Sequence, residues 1–257
     1  MNITKLTIQD LKMWFENSRR EEIYSFLPEL RNDKRSGVQK LIQSWEQRET
    51  LLEQEKERWN TMIQEEKRLR ADGYRYIVGI DEVGRGPLAG PVVAAAVILP
   101  EDFYLLGIND SKKLSASKRE ELGKEIKEKA VSFAVSFIEA KEIDRINIYE
   151  ATKVAMIDAL RQLSPQPDYA LIDAMKLSIN LPYQAIIKGD SQSISIAAAS
   201  IIAKVARDEY MVKIAELYPN YGFDRHMGYG TKEHLEAIKK YGVTPIHRRT
   251  FLTNILS

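Results

Sequence analysis

The sequence contains no cysteine and only three histidines among its 257 residues. Without cysteine there can be no disulfide framework, thiolate zinc site, iron–sulfur cluster or cysteine nucleophile, and the chain fits a reducing compartment. The histidines (His226, His234 and His247) lack the spacing of a zinc protease, which places two histidines four residues apart around a glutamate. Any bound metal must therefore be held by carboxylates.

Long apolar runs and a strong charge imbalance are also missing. The longest apolar run, 91–100, falls short of the roughly 18 residues of a membrane span, and residues 1–10 lack the apolar centre of a signal peptide. We therefore expect a cytoplasmic protein with no membrane contact. The 38 basic and 37 acidic residues exclude a histone-like polycation. A near-neutral total can still combine a basic surface with an acidic pocket.

Composition changes near Asp72 and divides the chain into two predicted domains, 1–72 and 73–257. All three tryptophans lie in the first part, but only one of the 13 glycines does. Apolar residues recur at helical spacing from Val38 to Leu69, which predicts one long helix. Thr7 and Asp10 have the spacing of a helix cap. Residues 1–72 therefore read as a small helical module, with turns at Pro28 and 32–37.

The apolar and aromatic stripe of this module has two interpretations. Packing of helix against helix is favoured, because such stripes usually serve a core. The alternative is a clamp for nucleic acid or a protein partner, formed by Lys67, Arg68 and Arg70. Acidic residues on the same helix match the basic ones in number and weaken that alternative.

After Gly73 the pattern alternates between strand and helix. Apolar runs predict strands at 76–80, 91–99, 131–138, 169–172 and 184–187, and helical patterns cover 117–130, 148–163, 194–217 and 231–241. The link 87–91 is too short for a crossover helix, so the first two strands should form an antiparallel hairpin. Ser117 and Glu120 have the spacing of a cap for the first of these helices. The predicted fold is a mixed α/β sheet in the order β-β-β-α-β-α-β.

Four acidic residues follow predicted strands, at positions where a site could form. They are Asp81, Glu82, Asp173 and Asp190. Only a sheet could gather residues so far apart in sequence, and carboxylates crowded at strand ends repel one another unless cations neutralise them. Oxygen ligands without cysteine or histidine indicate Mg²⁺ or Mn²⁺. An aspartate after a strand often only caps a turn, so the spacing alone leaves that interpretation open.

The segment Gly84-Arg85-Gly86 lies directly beyond the first acidic pair. Two glycines let backbone N–H groups approach a ligand closely, and the arginine can reach a phosphate. A plain tight turn explains such a short pattern equally well. Its position beside Asp81 and Glu82 makes it informative.

Six motifs in this chain resemble, in order, those of bacterial ribonuclease HII. They are Gly79-Ile-Asp-Glu-Val-Gly-Arg-Gly-Pro87, Asn109-Asp-Ser-Lys-Lys-Leu114, Leu171-Ile-Asp173, Lys188-Gly-Asp190, Ala197-Ala-Ala-Ser-Ile-Ile-Ala-Lys-Val205 and His226-x-Gly-Tyr-Gly-Thr231. Together they cover nearly all of 74–251. Residues 1–72 resemble the helical extension of some Gram-positive members of the family.

The resemblance implies a ribonuclease H-like fold, in which a mixed five-stranded sheet is flanked by helices. The four carboxylates then correspond to the family's catalytic residues, which bind two Mg²⁺ or Mn²⁺ ions. Members of the family cleave the RNA strand of RNA–DNA hybrids and incise 5′ to a single ribonucleotide in duplex DNA. They leave 5′-phosphate and 3′-hydroxyl ends and serve ribonucleotide excision repair and primer removal during DNA replication.

The resemblance also assigns substrate contacts. Gly84, Arg85 and Gly86 would hold the RNA-to-DNA junction, Tyr229 would pack against the sugar beyond the ribonucleotide, and Ser111 with Lys112 would contact a phosphate. Arg248 and Arg249 are further candidates for contacts to the nucleic-acid backbone. We expect a monomer whose partners are RNA–DNA hybrids and ribonucleotide-containing DNA; the sequence does not identify its protein partners.

Two alternatives and one departure from the family pattern accompany this prediction. The chain could be of the ribonuclease HIII type, which needs several ribonucleotides, or a hybrid-binding module that has lost catalysis. Ala174 occupies a position where the family usually has glycine. A side chain at this position disfavours a turn with positive φ, so the shape of the loop after Asp173 is not predicted.

Overall fold

The computed structural model describes residues 3–253, which fold as two compact units, one before residue 59 and one from Trp59 onward. Residues 1–2 and 254–257, at the ends of the two predicted domains, lie outside the described residues. The units divide earlier in the chain than the predicted boundary after residue 72. In the part that the structure describes, no helix is long and apolar enough to cross a membrane.

The first unit contains helices α1 (Ile8–Asn17), α2 (Arg20–Arg31) and most of α3 (Ser36–Met62). The predicted cap of α1 is confirmed, because Thr7 accepts a hydrogen bond from the Asp10 N–H and the Asp10 carboxylate accepts one from the Thr7 N–H. The core consists of apolar and aromatic side chains: Ile3, Leu11, Phe15, Ile23, Leu27, Leu30, Val38, Ile42 and Trp45.

The predicted turn at Pro28 is wrong, because this proline lies inside α2. It removes one N–H from the helix ladder. Its neighbours Leu27 and Leu30 are both buried in the core of the unit, and this packing keeps the segment helical in spite of the proline.

The predicted long helix from Val38 to Leu69 is in fact two helices. α3 ends at Met62, and α4 (Gln64–Ala71) begins after Ile63. Met62 and Ile63 are adjacent and both buried, but consecutive residues of a straight helix point about 100° apart. The break between the helices lets both side chains enter one core.

The second unit is built on a five-stranded sheet, as predicted. Its strands are β1 (Ile77–Val83), β2 (Val92–Ile98), β3 (Ser132–Ile138), β4 (Tyr169–Asp173) and β5 (Tyr183–Ile186). Their order is β3-β2-β1-β4-β5. β1 and β2 pair antiparallel, as predicted, and β3 pairs antiparallel with β2. β4 runs parallel to β1, and β5 runs parallel to β4. The mixed α/β fold is therefore confirmed.

Helices cover both faces of this sheet. They are α5 (Ala116–Lys129), α6 (Ala140–Ile146), α7 (Ile148–Arg161), α8 (Ile194–Leu217), α9 (Phe223–His226), α10 (Lys232–Tyr241) and α11 (Arg249–Leu252). Apolar residues of α7 pack against one face, and those of α5 and α8 pack against the other. The cap of α5 is Ser115 and not Ser117, since the Ser115 hydroxyl accepts the Lys118 N–H.

The helix predicted between the fourth and fifth strands is absent. Residues 174–182 link β4 to β5 without a helix, so the order there is β-β rather than β-α-β. Met175, Leu177 and Ile179 pack into the core beside α7. Their spacing of two residues is that of extended chain, which explains why no helix forms.

Candidate active site

The pairing of β1 with β4 brings two of the predicted carboxylates together. The strands are parallel, with Ile80 opposite Ile172, so Asp81 and Asp173 come next at the same edge. Carboxylate oxygens of Asp81, Glu82 and Asp173 all lie within 4.8 Å of one another. Asp81 and Glu82 were predicted to follow the first strand, but both lie within β1 and pair with β2.

Asp190 reaches the same place from a different element. It lies in a 3₁₀ turn, Gly189–Ser191, that follows β5. The Gly189 N–H donates a hydrogen bond to Asp173 Oδ1 over 2.7 Å, which ties this turn to the end of β4. Asp190 lies outside the tight group of three carboxylates and close to Asp110, a residue that sequence analysis did not single out.

Burial and mutual repulsion disfavour negative charge at this site. Burial raises the pKa of Asp81 well above its usual value; the charges of Glu82 and Asp173 raise it further, while a hydrogen bond from Ser200 lowers it. Burial also raises the pKa of Glu82, against a lowering effect of Arg85. A bound cation would reverse this repulsion.

One oxygen of Glu82 indicates whether the carboxylates of this site are suited to a metal ion. Glu82 Oε1 lies 3.2 Å from Arg85 Nη1, whereas Glu82 Oε2 is buried and has no hydrogen-bond partner among the described residues. A buried carboxylate oxygen without a partner is costly unless something binds it. An all-oxygen ligand set suits a hard divalent cation. The site therefore fits the divalent ion that the sequence implies.

Gly84 requires both its conformation and its lack of a side chain. Its φ is +88°, and an added Cβ would lie 2.3 Å from Arg207 Nε and 2.8 Å from the Pro91 carbonyl oxygen. Glycine adopts positive φ without steric cost. Gly86 differs, because a Cβ there would meet only Tyr229 Cε1, at 3.9 Å.

Two buried arginines hold the loop around Gly84 by hydrogen bonds to its backbone carbonyl oxygens. Arg248 donates to the carbonyl oxygens of Gly84 (2.5 Å), Arg85 (2.9 Å) and Gly90 (3.0 Å). Arg207 donates to the carbonyl oxygens of Pro91 (3.0 Å) and Ala89 (3.2 Å). Among the described residues neither arginine forms a salt bridge with a carboxylate.

The predicted role of Arg248 in contacting nucleic acid is wrong, because its side chain is fully buried. Burial, together with the neighbouring charge of Arg207, lowers the pKa of Arg248 to about 9. Arg249 lies on the surface, where its backbone N–H donates to Asp144. Arg248 therefore shapes the glycine loop from inside.

Tyr229 stands on a loop held by the three histidines. Its side chain is 43% exposed, and its carbonyl oxygen lies 2.9 Å from His234 Nδ1. His234 Nε2 lies 3.1 Å from His247 Nε2, and His247 Nδ1 accepts the Thr244 N–H. This pattern assigns protons to His247 Nε2 and His234 Nδ1, so both rings are neutral. His226 Nδ1 accepts the Gly228 N–H in the same loop.

One cavity of about 620 Å³ is lined by the four predicted carboxylates and by the six residues to which the resemblance assigned substrate contacts. They are Asp81, Glu82, Gly84, Arg85, Gly86, Ser111, Lys112, Asp173, Asp190 and Tyr229. The cavity is also lined by Val83, Ile148, Ser200 and Lys204, to which the sequence assigned no role. Ser200 Oγ lies 3.0 Å from Ser111 Oγ. Ser200 and Lys204 are one helical turn apart in α8, a spacing that could have revealed a shared face.

The loop after Asp173 adopts the conformation that alanine disfavours. Ala174 has φ +47°, and its N–H donates to the Ile186 carbonyl oxygen over 3.0 Å. This bond connects the residue beside Asp173 to the end of β5. The chain therefore accepts local strain at a position where the family usually has glycine.

Comparisons with known proteins agree with one another. The family model "Ribonuclease HII" matches residues 78–254, and the model "Ribonuclease HII N-terminal domain" matches residues 7–70. The chain is 56% identical over 247 residues to Ribonuclease HII of Bacillus thuringiensis (strain Al Hakam), with 96% of each chain covered.

Two solved structures have a similar fold. The ribonuclease H2 of Pyrococcus horikoshii OT3 matches with a TM-score of 0.60 and 29% identity, over 70% of this chain and 96% of that one. The RNase HII of Archaeoglobus fulgidus, solved in a complex with PCNA, matches with a TM-score of 0.57 and 28% identity, over 67% of this chain and 93% of that one.

Proposed function

Because this chain belongs to the ribonuclease HII family and is a divalent-metal-dependent endoribonuclease acting on RNA–DNA hybrids, we propose that its four cavity carboxylates are the catalytic metal ligands. They are Asp81, Glu82, Asp173 and Asp190. The observation that carries this proposal is the set of three carboxylates within 4.8 Å, contributed by two parallel strands. The partnerless Glu82 Oε2 supports it.

The ligands suit two Mg²⁺ or Mn²⁺ ions. When bound, such a pair activates a water molecule and neutralises the leaving 3′-oxygen of the scissile phosphate. The protein's own contribution is to hold the carboxylates in place before the substrate arrives. Strand pairing fixes Asp81 and Asp173, and the Gly189 N–H orients the Asp173 carboxylate.

Recognition of the ribonucleotide is proposed for the cavity residues other than the four carboxylates. Only the 2′-hydroxyl distinguishes a ribonucleotide from its deoxy counterpart in the same base pair. Gly84-Arg85-Gly86 presents close-lying backbone beside the carboxylates, and the half-exposed ring of Tyr229 suits a sugar without a 2′-oxygen. Ser111 and Lys112 line the same cavity and are the proposed phosphate contacts.

Incision 5′ to a single ribonucleotide is the substrate preference that this arrangement supports. Membership of the ribonuclease HII family argues against the two alternatives, which were a ribonuclease HIII-type enzyme and an inactive hybrid-binding module. We also propose that the chain acts as a monomer in the cytoplasm. We further propose that the compact unit before residue 59, which makes up most of the predicted extension 1–72, aids substrate binding or stability and leaves the chemistry to the rest of the chain.

The test uses the full chain and a DNA duplex that contains one ribonucleotide. With Mg²⁺ or Mn²⁺ we expect a single cut on the 5′ side of the ribonucleotide and no cutting of an all-DNA duplex. Asp81→Asn should lower the rate by about a thousandfold, because the variant loses a carboxylate ligand of the ions that would neutralise charge in the transition state. The matched control is Asp158→Asn, which changes a half-exposed carboxylate whose one salt bridge among the described residues is with Arg161.

Full activity of Asp81→Asn, or an intact ribonucleotide-containing duplex with wild-type protein, would contradict the proposal. A comparison of one with four embedded ribonucleotides measures the predicted preference. Equal cleavage of an RNA–DNA hybrid by Asp158→Asn and wild type shows that the loss is specific to the cavity.

A further inference from the structure

Glu66 of α4 is a buried carboxylate that the proposed chemistry does not use. It is 2% exposed, and among the described residues Asp81 is the only other buried aspartate or glutamate. Burial raises its pKa. A charged or polar side chain in such a position needs a compensating interaction. Its location therefore requires an explanation.

The compensating interactions lie at the beginning of α8. Glu66 Oε1 accepts hydrogen bonds from the Ser193 hydroxyl over 2.6 Å and from the Ser195 N–H over 2.9 Å. Ser193 is the cap residue of α8, and its hydroxyl in turn accepts the Ile196 N–H. Because the first N–H groups of a helix have no partner within the helix, a carboxylate there satisfies donors and interacts favourably with the helix dipole.

The beginning of α8 is also where the cavity ligands are fixed. The Ser193 N–H donates to the Gly189 carbonyl oxygen over 2.8 Å and so closes the turn that contains Asp190. The N–H of the same Gly189 holds Asp173. Two turns further along α8, Ser200 hydrogen-bonds Asp81.

A second contact ties the beginning of α8 to the strand that carries Asp81. An added Cβ at Gly79 of β1 would lie 2.0 Å from the backbone carbon of Ser195, so the helix packs directly on the strand at this point. A shift of the first turn of α8 would therefore be transmitted to β1 as well as to the turn around Asp190.

We propose that Glu66 is a positioning residue for the metal site. By holding Ser193 and Ser195, it fixes the first turn of α8, and through this turn it fixes Asp190 and Asp173. The inference rests on the proposed role of these carboxylates as metal ligands. It makes α4, a helix that precedes the whole sheet in sequence, part of the support of the active site.

Two substitutions in the full chain separate positioning from stability. Glu66→Leu fills nearly the same volume but leaves the Ser193 hydroxyl and the Ser195 N–H without an acceptor. Glu66→Gln keeps an acceptor oxygen for both, at the cost of an unpaired amide group. The matched control is Glu65→Leu on the exposed side of α4, where Glu65 pairs with Arg68.

The primary measurement is Mn²⁺ binding to protein without substrate, followed by calorimetry or electron paramagnetic resonance well below the melting temperature. We expect Glu66→Leu to weaken Mn²⁺ binding by about tenfold, the usual range for residues that orient metal ligands. At saturating Mn²⁺ its kcat should fall while its KM for a duplex with one ribonucleotide stays within about twofold. Glu66→Gln and Glu65→Leu should bind Mn²⁺ like wild type.

Unchanged Mn²⁺ binding and kcat in Glu66→Leu would overturn the inference, even if its melting temperature falls, because Glu66 would then be a purely structural cap. An equal loss in Glu66→Gln would also overturn it. Asp190→Asn tests the proposed function separately. If Asp190→Asn binds Mn²⁺ as wild type does, the proposed assignment of Asp190 as a metal ligand is wrong, whatever the Glu66 variants show.

Discussion

The two compact units bury different kinds of residue. Before residue 59 the buried residues of the described chain are apolar or aromatic, and the Arg31–Glu46 ion pair lies on the surface. From Trp59 onward the described chain also buries polar and charged residues: Glu66, Asp81, Ser111, Ser136, Thr152, Ser193, Ser195, Ser200, Arg207, His226, His234, His247 and Arg248. One unit is held by packing, whereas the other also depends on directed hydrogen bonds.

This difference predicts how each unit responds to change. An apolar core tolerates swaps that conserve volume, because its contacts have little direction. A buried polar group that loses its partner costs its full desolvation penalty. Substitutions in the second unit should therefore alter cleavage and stability together, while substitutions in the first should alter stability alone.

Among the substitutions that contrast the two units, Gly84→Ala should have the largest combined effect on stability and cleavage. The added methyl combines a positive φ with a clash against Arg207, so we expect a loss of about 2–5 kcal/mol in the free energy of unfolding. Cleavage should fall by about a hundredfold, because displacement of the loop misplaces the substrate. Urea unfolding and single-turnover cleavage measure the two effects. Gly86→Ala is the stability control and should unfold like wild type; equal stability of both variants would refute the argument.

Trp45→Ala tests the packing unit. Trp45 is 6% exposed in the first core, and its truncation should destabilise that unit by about 3–5 kcal/mol. The kcat for hybrid cleavage should stay within about twofold, because the cavity is built from other residues. Limited proteolysis reports the opening of the first unit, and Leu51→Ala, at an exposed position, is the control. If Trp45→Ala lowers both kcat and resistance to proteolysis, the prediction that substitutions in the first unit alter stability alone is wrong.

The histidine cluster should make stability depend on pH. Burial lowers the pKa of His247 to about 4 and also lowers that of His234, whereas a histidine in the unfolded chain titrates near 6.5. Above pH 6.5 both states are neutral at these positions and the contribution is constant. Below it the unfolded state takes up protons that the folded state refuses, so the free energy of unfolding falls as pH decreases toward 4.

For His247 alone this loss amounts to about 3 kcal/mol at pH 4. His247→Asn removes the titrating ring. It should therefore reduce the slope of the free energy of unfolding against pH by the equivalent of up to one proton taken up on unfolding. The melting temperatures of wild type and His247→Asn are measured from pH 7.5 to 4.5 and subtracted. The subtraction removes the contribution of carboxylates that titrate in both proteins. Parallel curves would show that His247 does not contribute.

The smallest effect is expected for Ala174→Gly, which relieves the positive φ of Ala174. The gain in the free energy of unfolding should be about 0.5–1 kcal/mol, after the entropic cost of glycine in the unfolded chain is subtracted. Ala185→Gly in β5 is the control and should lower stability, because that residue has no positive φ to relieve. A lower melting temperature for Ala174→Gly would show that the loop carries no strain.

Sequence predicted the regular parts of the fold better than the parts that surround chemistry. The bounds of α8 match its prediction, because a long apolar run and a capping serine specify them locally. The end of β1 was predicted too early, because Asp81 and Glu82 break the apolar pattern that marks a strand. Charged residues of a functional site can interrupt the apolar pattern from which a strand is predicted, so the predicted end of the strand is wrong there.

The motifs were sufficient to select ten of the fourteen residues that line the cavity, but not the residues that hold these ten in place. Ser193 and Glu66 are 127 positions apart, and Arg248 lies 164 positions from Gly84. No local pattern connects such pairs, since each depends on how the sheet and α8 pack. Arg248 looked like a surface cation because arginine usually is one.

The two buried arginines beneath the glycine loop have a consequence for salt dependence. Arg248 remains protonated at neutral pH, and it shares its surroundings with Arg207 without a carboxylate partner among the described residues. Mobile ions screen exposed charges but reach buried ones poorly. Dissolved salt should therefore screen these two positive charges less than those of surface lysines, so part of the attraction for nucleic acid should persist at high ionic strength.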